Sequence, residues 1–315
     1  MIPRRDVTLE YLTPLIYNPT AGRMQRSPDL VRRLTAALRS SIPDIEPAPT
    51  SRPLEAVEMA ARYVREGARM IVVAGGDGTI NEAANGLAGT GAALGIVPVG
   101  TANVLACELG MRGDPVRAAA SAADWQPLRI AMGRLRSGDG APRLFLLMAG
   151  AGLDARINGS VRAEVKRRFG KLAYWLAGAE MVGRRLAQMD VHVDGVSRRT
   201  GFALAARARN YGGELEIASR ASLLKDRFEL VTFRGRTSWR FPLYLFGALV
   251  GRTTVVPGAE SFFAERLELA PANGERIEIQ VDGEQAGTLP ARLEIVPDAL
   301  TLMVPRRYAE RERNR

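Results

Sequence analysis

Along the first 125 or so positions, short apolar runs alternate with helical stripes. The run at 12–17 ends in Asn18-Pro19, which predicts a strand and then a turn continuing through Thr20-Ala21-Gly22. Leu30, Val31, Leu34 and Leu38 then recur at helical spacing. Pro43 and Pro47 interrupt that pattern around a short strand at 45–50, and Leu54, Val57, Ala61 and Val64 predict a second helix. The run Met-Ile-Val-Val-Ala at 70–74 is apolar without alternation, as expected of a central parallel strand covered on both faces. Ile80, Ala83, Ala84 and Leu87 form the next helical stripe, and 93–97 the next strand. A short helix through Leu109 and another at 115–123 complete a strand–helix repetition that predicts an α/β domain.

The pattern changes after Pro127. Strands are predicted at 128–132, 144–148, 189–193, 203–208, 228–233, 267–269, 277–281, 293–296 and 300–304, punctuated by Gly, Asn and Asp. Helices are predicted near 174–186 and 241–250, and the Arg-rich end is expected to fray. The chain therefore divides into an α/β domain over 9–127 and a β-rich domain over 128–297.

Composition narrows the chemistry. A chain of 315 residues with 46% apolar and 25% charged positions can bury two cores. A single cysteine, Cys107, excludes an internal disulfide, and one Cys with one His excludes a His/Cys zinc site. That histidine, His192, alternates with Val191 and Val193 before Asp194-Gly195, so it reads as a strand residue and not as a catalytic one. The formal charge of +10 suits DNA, an anionic membrane or phosphorylated small molecules, and equally an arginine-rich composition with no partner behind it. No recognition helix, zinc spacing or RNA-binding aromatic motif accompanies the charge, so no nucleic-acid partner is expected. No apolar run approaches the ~18 residues of a membrane span. The first residues do not read as a signal peptide, and the expected location is the cytoplasm.

Gly75-Gly76-Asp77-Gly78-Thr79 lies between the buried strand at 70–74 and a helix. Glycines there permit positive φ and close approach of a ligand, and a helix start adds its positive end. Asp77 would repel phosphate unless Mg²⁺ stands between them. A plain helix-capping turn is the simpler reading. Against it, Asn81-Glu82 and Asn85-Gly86 follow on the same helix and suggest that it faces a cleft. The loop has neither the Gly-Lys-Ser/Thr ending of the common phosphate loop nor the G-x-G-x-x-G dinucleotide spacing. Pro98-Val99-Gly100-Thr101-Ala102-Asn103 follows the next strand, and Asn18 and Gly22 follow the first. In a parallel sheet all three loops reach the carboxyl edge, where ligands bind.

These residues carry a family resemblance. Gly75 to Glu82 with Asn85-Gly86-Leu87, Asn18-Pro19 with Gly22, and Pro98 with Gly100 to Asn103 resemble the diacylglycerol kinase catalytic-domain family, which includes sphingosine and ceramide kinases. The resemblance continues through Asn210, Gly213, the stretch Ala221 to Asp226, and Val281-Asp282-Gly283-Glu284, so it spans almost the whole chain. The Gly-Gly-Asp-Gly-Thr core is shared with NAD kinases, but Asn18-Pro19 and Asp282-Gly283-Glu284 favour the lipid branch. The resemblance implies a Rossmann-like N-terminal nucleotide-binding domain, completed by 298–311, a C-terminal β-sandwich, and an active site in the cleft between them.

It also implies roles for particular residues. Gly75, Gly76, Asp77, Gly78, Thr79, Ile80, Asn81 and Glu82 would hold ATP, with Asn18, Thr50, Gly100 and Thr101 beside them. Asp77 would join the Mg²⁺ network and Glu284 would act as general base. From its local pattern, Asp282-Gly283-Glu284 also reads as a hairpin turn with a solvated glutamate. Asp226 would bind a structural Mg²⁺ with carbonyls from Leu223 and Phe228. Two positions depart from the family pattern. Asp226-Arg227 stands where Asp-Gly is usual, and Val104 where the second loop usually ends in Asp. The implied reaction is phosphorylation of a lipid alcohol, diacylglycerol first. Sphingoid bases, other lipid alcohols, NAD, and a non-catalytic sensor are the alternatives. A lipid substrate implies transient docking on an anionic membrane surface. Candidate segments are 162–185, where Lys166, Arg167, Arg168, Lys171, Arg184 and Arg185 interleave with Phe169, Leu172, Tyr174 and Trp175, and 239–246. Either could equally be core helix with solvated arginines. A homodimer is compatible with the resemblance.

Overall fold

The computed structural model describes residues 12–138, 140–152, 183–211, 215–249 and 255–314. The predicted helix at 174–186 falls outside these up to residue 182, and 183–186 are not helical. The chain forms two compact units, 1–129 with 298–315, and 130–297.

The first unit begins with β1 (Thr13–Tyr17), α1 (Gly22–Arg26), α2 (Leu30–Arg39), β2 (Ile45–Pro49) and α3 (Glu55–Arg65). It continues with β3 (Met70–Gly75), α4 (Asp77–Leu87), β4 (Ala93–Pro98), α5 (Val104–Glu108) and α6 (Pro115–Ala120). Strand order is β2-β1-β3-β4, with every pairing parallel. The order reverses between β1 and β3, so this is the switch point of the sheet. β3 and β4 are almost wholly buried, as their unbroken apolar runs require.

The second unit holds β5 (Trp125–Ser137, entering from the first unit), β6 (Arg143–Phe145), β7 (Met148–Gly152), β8 (Met189–Val193), β9 (Val196–Thr200) and β10 (Phe202–Ala206). The pair β11 (Asn210–Tyr211) and β12 (Leu215–Glu216) precedes β13 (Phe228–Phe233). Then come α7 (Phe241–Leu249), β14 (Ala259–Ala264), β15 (Arg266–Pro271), β16 (Glu278–Val281) and β17 (Glu284–Thr288). β18 (Ala291–Pro305) leads back into the first unit, where it pairs in parallel with β4 and is followed by α8 (Arg306–Arg313).

One antiparallel sheet has the order β14-β13-β10-β7-β16-β17, and β18, β15, β8 and β9 form the other antiparallel run. Period-2 alternation builds the core between them. Ala149 and Ala151, Ala203 and Ala205, Phe228 and Leu230, and Ile279 and Val281 meet Val191, Leu267, Leu269 and Leu293 in one buried cluster. The expected α/β plus β-sandwich architecture is the observed one.

Four local expectations need correction. The strand placed at 144–148 is interrupted at Leu146-Leu147, between β6 and β7. Leu54 does not begin α3. It sits just before it at φ 64°, 57% exposed, and the buried face of α3 is Ala56, Met59 and Ala60. Gly86 does not face a cleft. A Cβ there would lie 2.4 Å from the Val57 carbonyl and 2.9 Å from the Ala60 methyl, so this glycine lets α4 rest on the backbone of α3. The Arg-rich end does not fray, because α8 buries Tyr308, Ala309 and Glu312. Arg307 donates to the Gly110 carbonyl at 2.6 Å and Arg311 to the Glu108 carbonyl at 3.1 Å.

Candidate active site

Three loops meet at the carboxyl edge of β1, β3 and β4. The Asn18 amide donates to the Ala74 carbonyl at 3.3 Å, the Val99 amide to Gly75 at 3.1 Å, and the Arg23 amide to Val99 at 3.3 Å. These bonds knit the Asn-Pro turn, the glycine loop and the second loop together. Thr50 joins the same edge, its amide 2.9 Å from the Tyr17 carbonyl. The Asn18 carboxamide oxygen accepts from the amide and the hydroxyl of Thr20, each at 2.8 Å, and so shapes its own turn.

The glycines matter here through space and not through positive φ. None of Gly75, Gly76, Gly78 and Gly100 has a left-handed backbone. A Cβ on Gly100 would lie 2.6 Å from the Gly76 Cα, and one on Gly75 would lie 2.7 Å from the Thr79 Cβ. The two loops therefore touch backbone to backbone. Of the two uses expected of these glycines, positive φ and close approach to the backbone, the structure shows close approach, here of one loop to the other. On the far side, Gly22 faces Thr101, with its would-be Cβ 3.9 Å from that hydroxyl. Thr101 is exposed.

Gly76 caps α4, whose first bond to it runs from the Ile80 amide at 3.1 Å. The amides of Gly78 and Thr79 precede that bond and have no acceptor among the described residues. They form an anion-ready helix start. Asp77 is half-buried in the same turn, and its Oδ1 accepts from the Leu105 amide at 3.3 Å. It thereby ties α4 to α5. Ile80 is core, 1% exposed, and Asn81 is buried, its carbonyl accepting from Asn85 at 2.8 Å. Glu82 is half-buried on the same helix. Asn103, at φ 49°, donates to the Gly100 carbonyl at 2.9 Å while its buried Oδ1 has no partner. Sequence reasoning named Asn103 in the motif without giving it a role. Its left-handed backbone and its bond to the Gly100 carbonyl shape the second loop.

Glu284 lies in the second unit. Asp282 (φ 49°) and Gly283 (φ 87°) make the two-residue turn from β16 to β17, with Val281 opposite Glu284. The Asp282 carboxylate accepts from the amides of Leu146, Leu147 and Met148 at 2.8, 2.9 and 2.9 Å. These bonds explain the interruption between β6 and β7. Glu284 itself is exposed and pairs with Arg143 at 3.1 Å, while Arg143 also donates to the Gln285 carbonyl at 3.0 Å. Neither the Asp282 anchor nor the Arg143 partner was foreseen. The Asp-Gly turn was the available signal for the first.

The three residues assigned to a structural metal differ in their surroundings. The Leu223 carbonyl accepts from the Arg207 guanidinium at 2.8 Å, Asp226 is exposed, and Phe228 is the first residue of β13, opposite Ala264. Among the described residues no group of three or more His, Cys, Asp or Glu is placed to hold a metal ion. Gly213 and the basic segment 162–182 lie outside the described residues.

Comparison with known proteins defines the class. Residues 13–135 match the family described as "Diacylglycerol kinase catalytic domain", and residues 148–304 match the "YegS C-terminal NAD kinase beta sandwich-like domain". Together they describe a kinase built from the two units above. The chain belongs to the diacylglycerol kinase catalytic-domain family. A diacylglycerol kinase of Bacillus subtilis (strain 168) is 27% identical over 94% of this chain and 97% of its own. One from Mycobacterium tuberculosis (strain H37Rv) is 29% identical over 80% and 82%. A protein of Chromohalobacter salexigens named "Probable lipid kinase YegS-like" is 30% identical over 80% and 81%. In fold, the chain is similar to a crystal structure of a diacylglycerol kinase from Bacillus anthracis str. Sterne, with TM-score 0.75, 21% identity, and 93% and 97% of the two chains covered.

Proposed function

We propose that this chain is an ATP-dependent lipid kinase that phosphorylates the hydroxyl of diacylglycerol to give phosphatidic acid. The observation that carries the reading is the contact of Gly76 with Gly100. Two loops without side chains at their meeting point can close on each other there, beside a helix start whose Gly78 and Thr79 amides can take phosphate oxygens. The amides of Gly78 and Thr79 and the exposed Thr101 hydroxyl hold the phosphate oxygens. Asp77 is the carboxylate suited to Mg²⁺ there, because without a cation it would repel the phosphates. Bound ATP supplies the phosphoryl group and Mg²⁺ offsets its charge.

Glu284 is the general base of this reading. Its carboxylate takes the proton from the lipid hydroxyl as that oxygen bonds to the γ-phosphorus. The bond from phosphorus to the β,γ-bridging oxygen breaks and ADP departs. Glu284→Gln should therefore lower turnover about 100-fold or more at unchanged melting temperature. A folded variant with wild-type turnover would remove Glu284 from the mechanism.

The substrate lies in a membrane, and among the described residues no helix is long and apolar enough to cross one. Docking is assigned to the surface around α7. That helix buries Phe241, Tyr244 and Ala248, while Trp239, Leu243 and Phe246 are 69%, 47% and 62% exposed. Exposed Arg185, Arg236 and Arg240 flank them. Apolar groups edged by arginine suit shallow insertion among anionic headgroups on the cytoplasmic face.

A further inference from the structure

The 221–228 segment is where the family resemblance leads one to expect a structural Mg²⁺, and the side chain that braces this segment is Arg207. This arginine follows β10 directly and is 0% exposed, the largest fully buried side chain described. Its Nη2 donates to the Leu223 carbonyl at 2.8 Å and its Nη1 to the Lys225 carbonyl at 3.1 Å. The fork thus spans the turn closed by Lys225 N to Ser222 O at 3.3 Å and Arg227 N to Lys225 O at 2.8 Å. The Arg207 amide in turn donates to the Leu147 carbonyl at 2.7 Å, and the Leu147 amide donates to Asp282 at 2.9 Å. One continuous set of bonds therefore runs from the 222–225 turn to the Asp282 carboxylate, two residues before Glu284.

A divalent ion fits this arrangement badly. Magnesium sits about 2.1 Å from each ligand oxygen, in near-octahedral geometry. An ion on the Leu223 carbonyl would then lie within about 5 Å of the Arg207 Nη2, and like charges repel most where water is excluded. The residue after Asp226 points the same way. Arg227 lays its guanidinium over the Phe263 ring at 3.8 Å, so a packed side chain stands where the family pattern has glycine.

We infer that Arg207 is a built-in cation that takes the place of a divalent ion in the 221–228 turn. The second unit therefore holds its shape without a structural metal. The inference is independent of the kinase reading and can fail without it.

The test uses the full chain, free of nucleotide, melted in excess EDTA and in Mg²⁺, for the wild type and for Arg207→Met and Asp226→Asn. Wild-type curves should superimpose in the two buffers. Arg207→Met should melt lower by about 4 °C or more, since two buried carbonyls lose a charged donor. A wild-type melting temperature that rises with Mg²⁺, and no longer does so in Asp226→Asn, would overturn the inference. So would an Arg207→Met melting temperature equal to wild type. If Arg207→Met does not fold, the wild-type and Asp226→Asn curves decide: superimposed curves, or a Mg²⁺-dependent rise that Asp226→Asn keeps, support the inference, and a rise that Asp226→Asn loses overturns it.

Discussion

Asp282 shows how much one carboxylate can organise. Three consecutive amides point at it, so β6 cannot run on into β7, and the turn that carries Glu284 is fixed from behind. Asp282→Asn would turn an amide donor toward one of those N–H groups and remove the charge from all three bonds. The expected loss is about 2 kcal/mol, roughly 5 °C in melting temperature, with turnover falling as Glu284 loses its placement. An unchanged melting curve would mean the three bonds contribute nothing net. At this scale the sequence was only partly readable. Asp282-Gly283 announced a turn, since both residues tolerate positive φ. That Asp282 also gathers amides from 134 to 136 positions away could not be seen, because nothing local records a long-range partner. The same holds for Arg143 beside Glu284 and for Arg207 beneath Leu223.

At the scale of elements, the buried ones were legible. β3, β8 and β13 occupy their expected positions because they are strongly apolar or alternate cleanly. The unforeseen strands β9, β14 and β17 all lie at sheet edges. An edge strand has one neighbour and tolerates polar residues, so Val-Ser-Arg-Arg-Thr carries little periodic signal. Gly86 was misread because a packing glycine and a cleft glycine look alike in sequence. Among the described residues, α7 and the turn before it present an outward apolar face, and the proposed role of that face is directly testable. Removing Trp239 and Phe246 together, each to Ala, should weaken binding to anionic vesicles about tenfold or more. Wild-type binding should also fall as salt rises. Equal wild-type binding to neutral and anionic vesicles, or a double variant that binds like wild type, would contradict the assignment.

At the scale of the whole molecule, the strand–helix repetition and the later run of strands were enough to predict an α/β unit followed by a β-rich one. Each unit brings a different part of the proposed chemistry. The first supplies helix-start amides at the carboxyl edge of a parallel sheet. The second supplies a glutamate on a braced hairpin. Neither part is peculiar to lipids, because a phosphate site serves any kinase and a glutamate can deprotonate any alcohol. Family membership is what turns the reading toward diacylglycerol. The most direct test is therefore to supply the chain with ATP and Mg²⁺ against dispersed diacylglycerol, a sphingoid base, NAD and no acceptor, and to identify products by mass. The account predicts phosphatidic acid formed with one ADP per molecule and little product from the other acceptors. ADP release that ignores the acceptor, or phosphorylated NAD with no phosphorylated lipid, would contradict it.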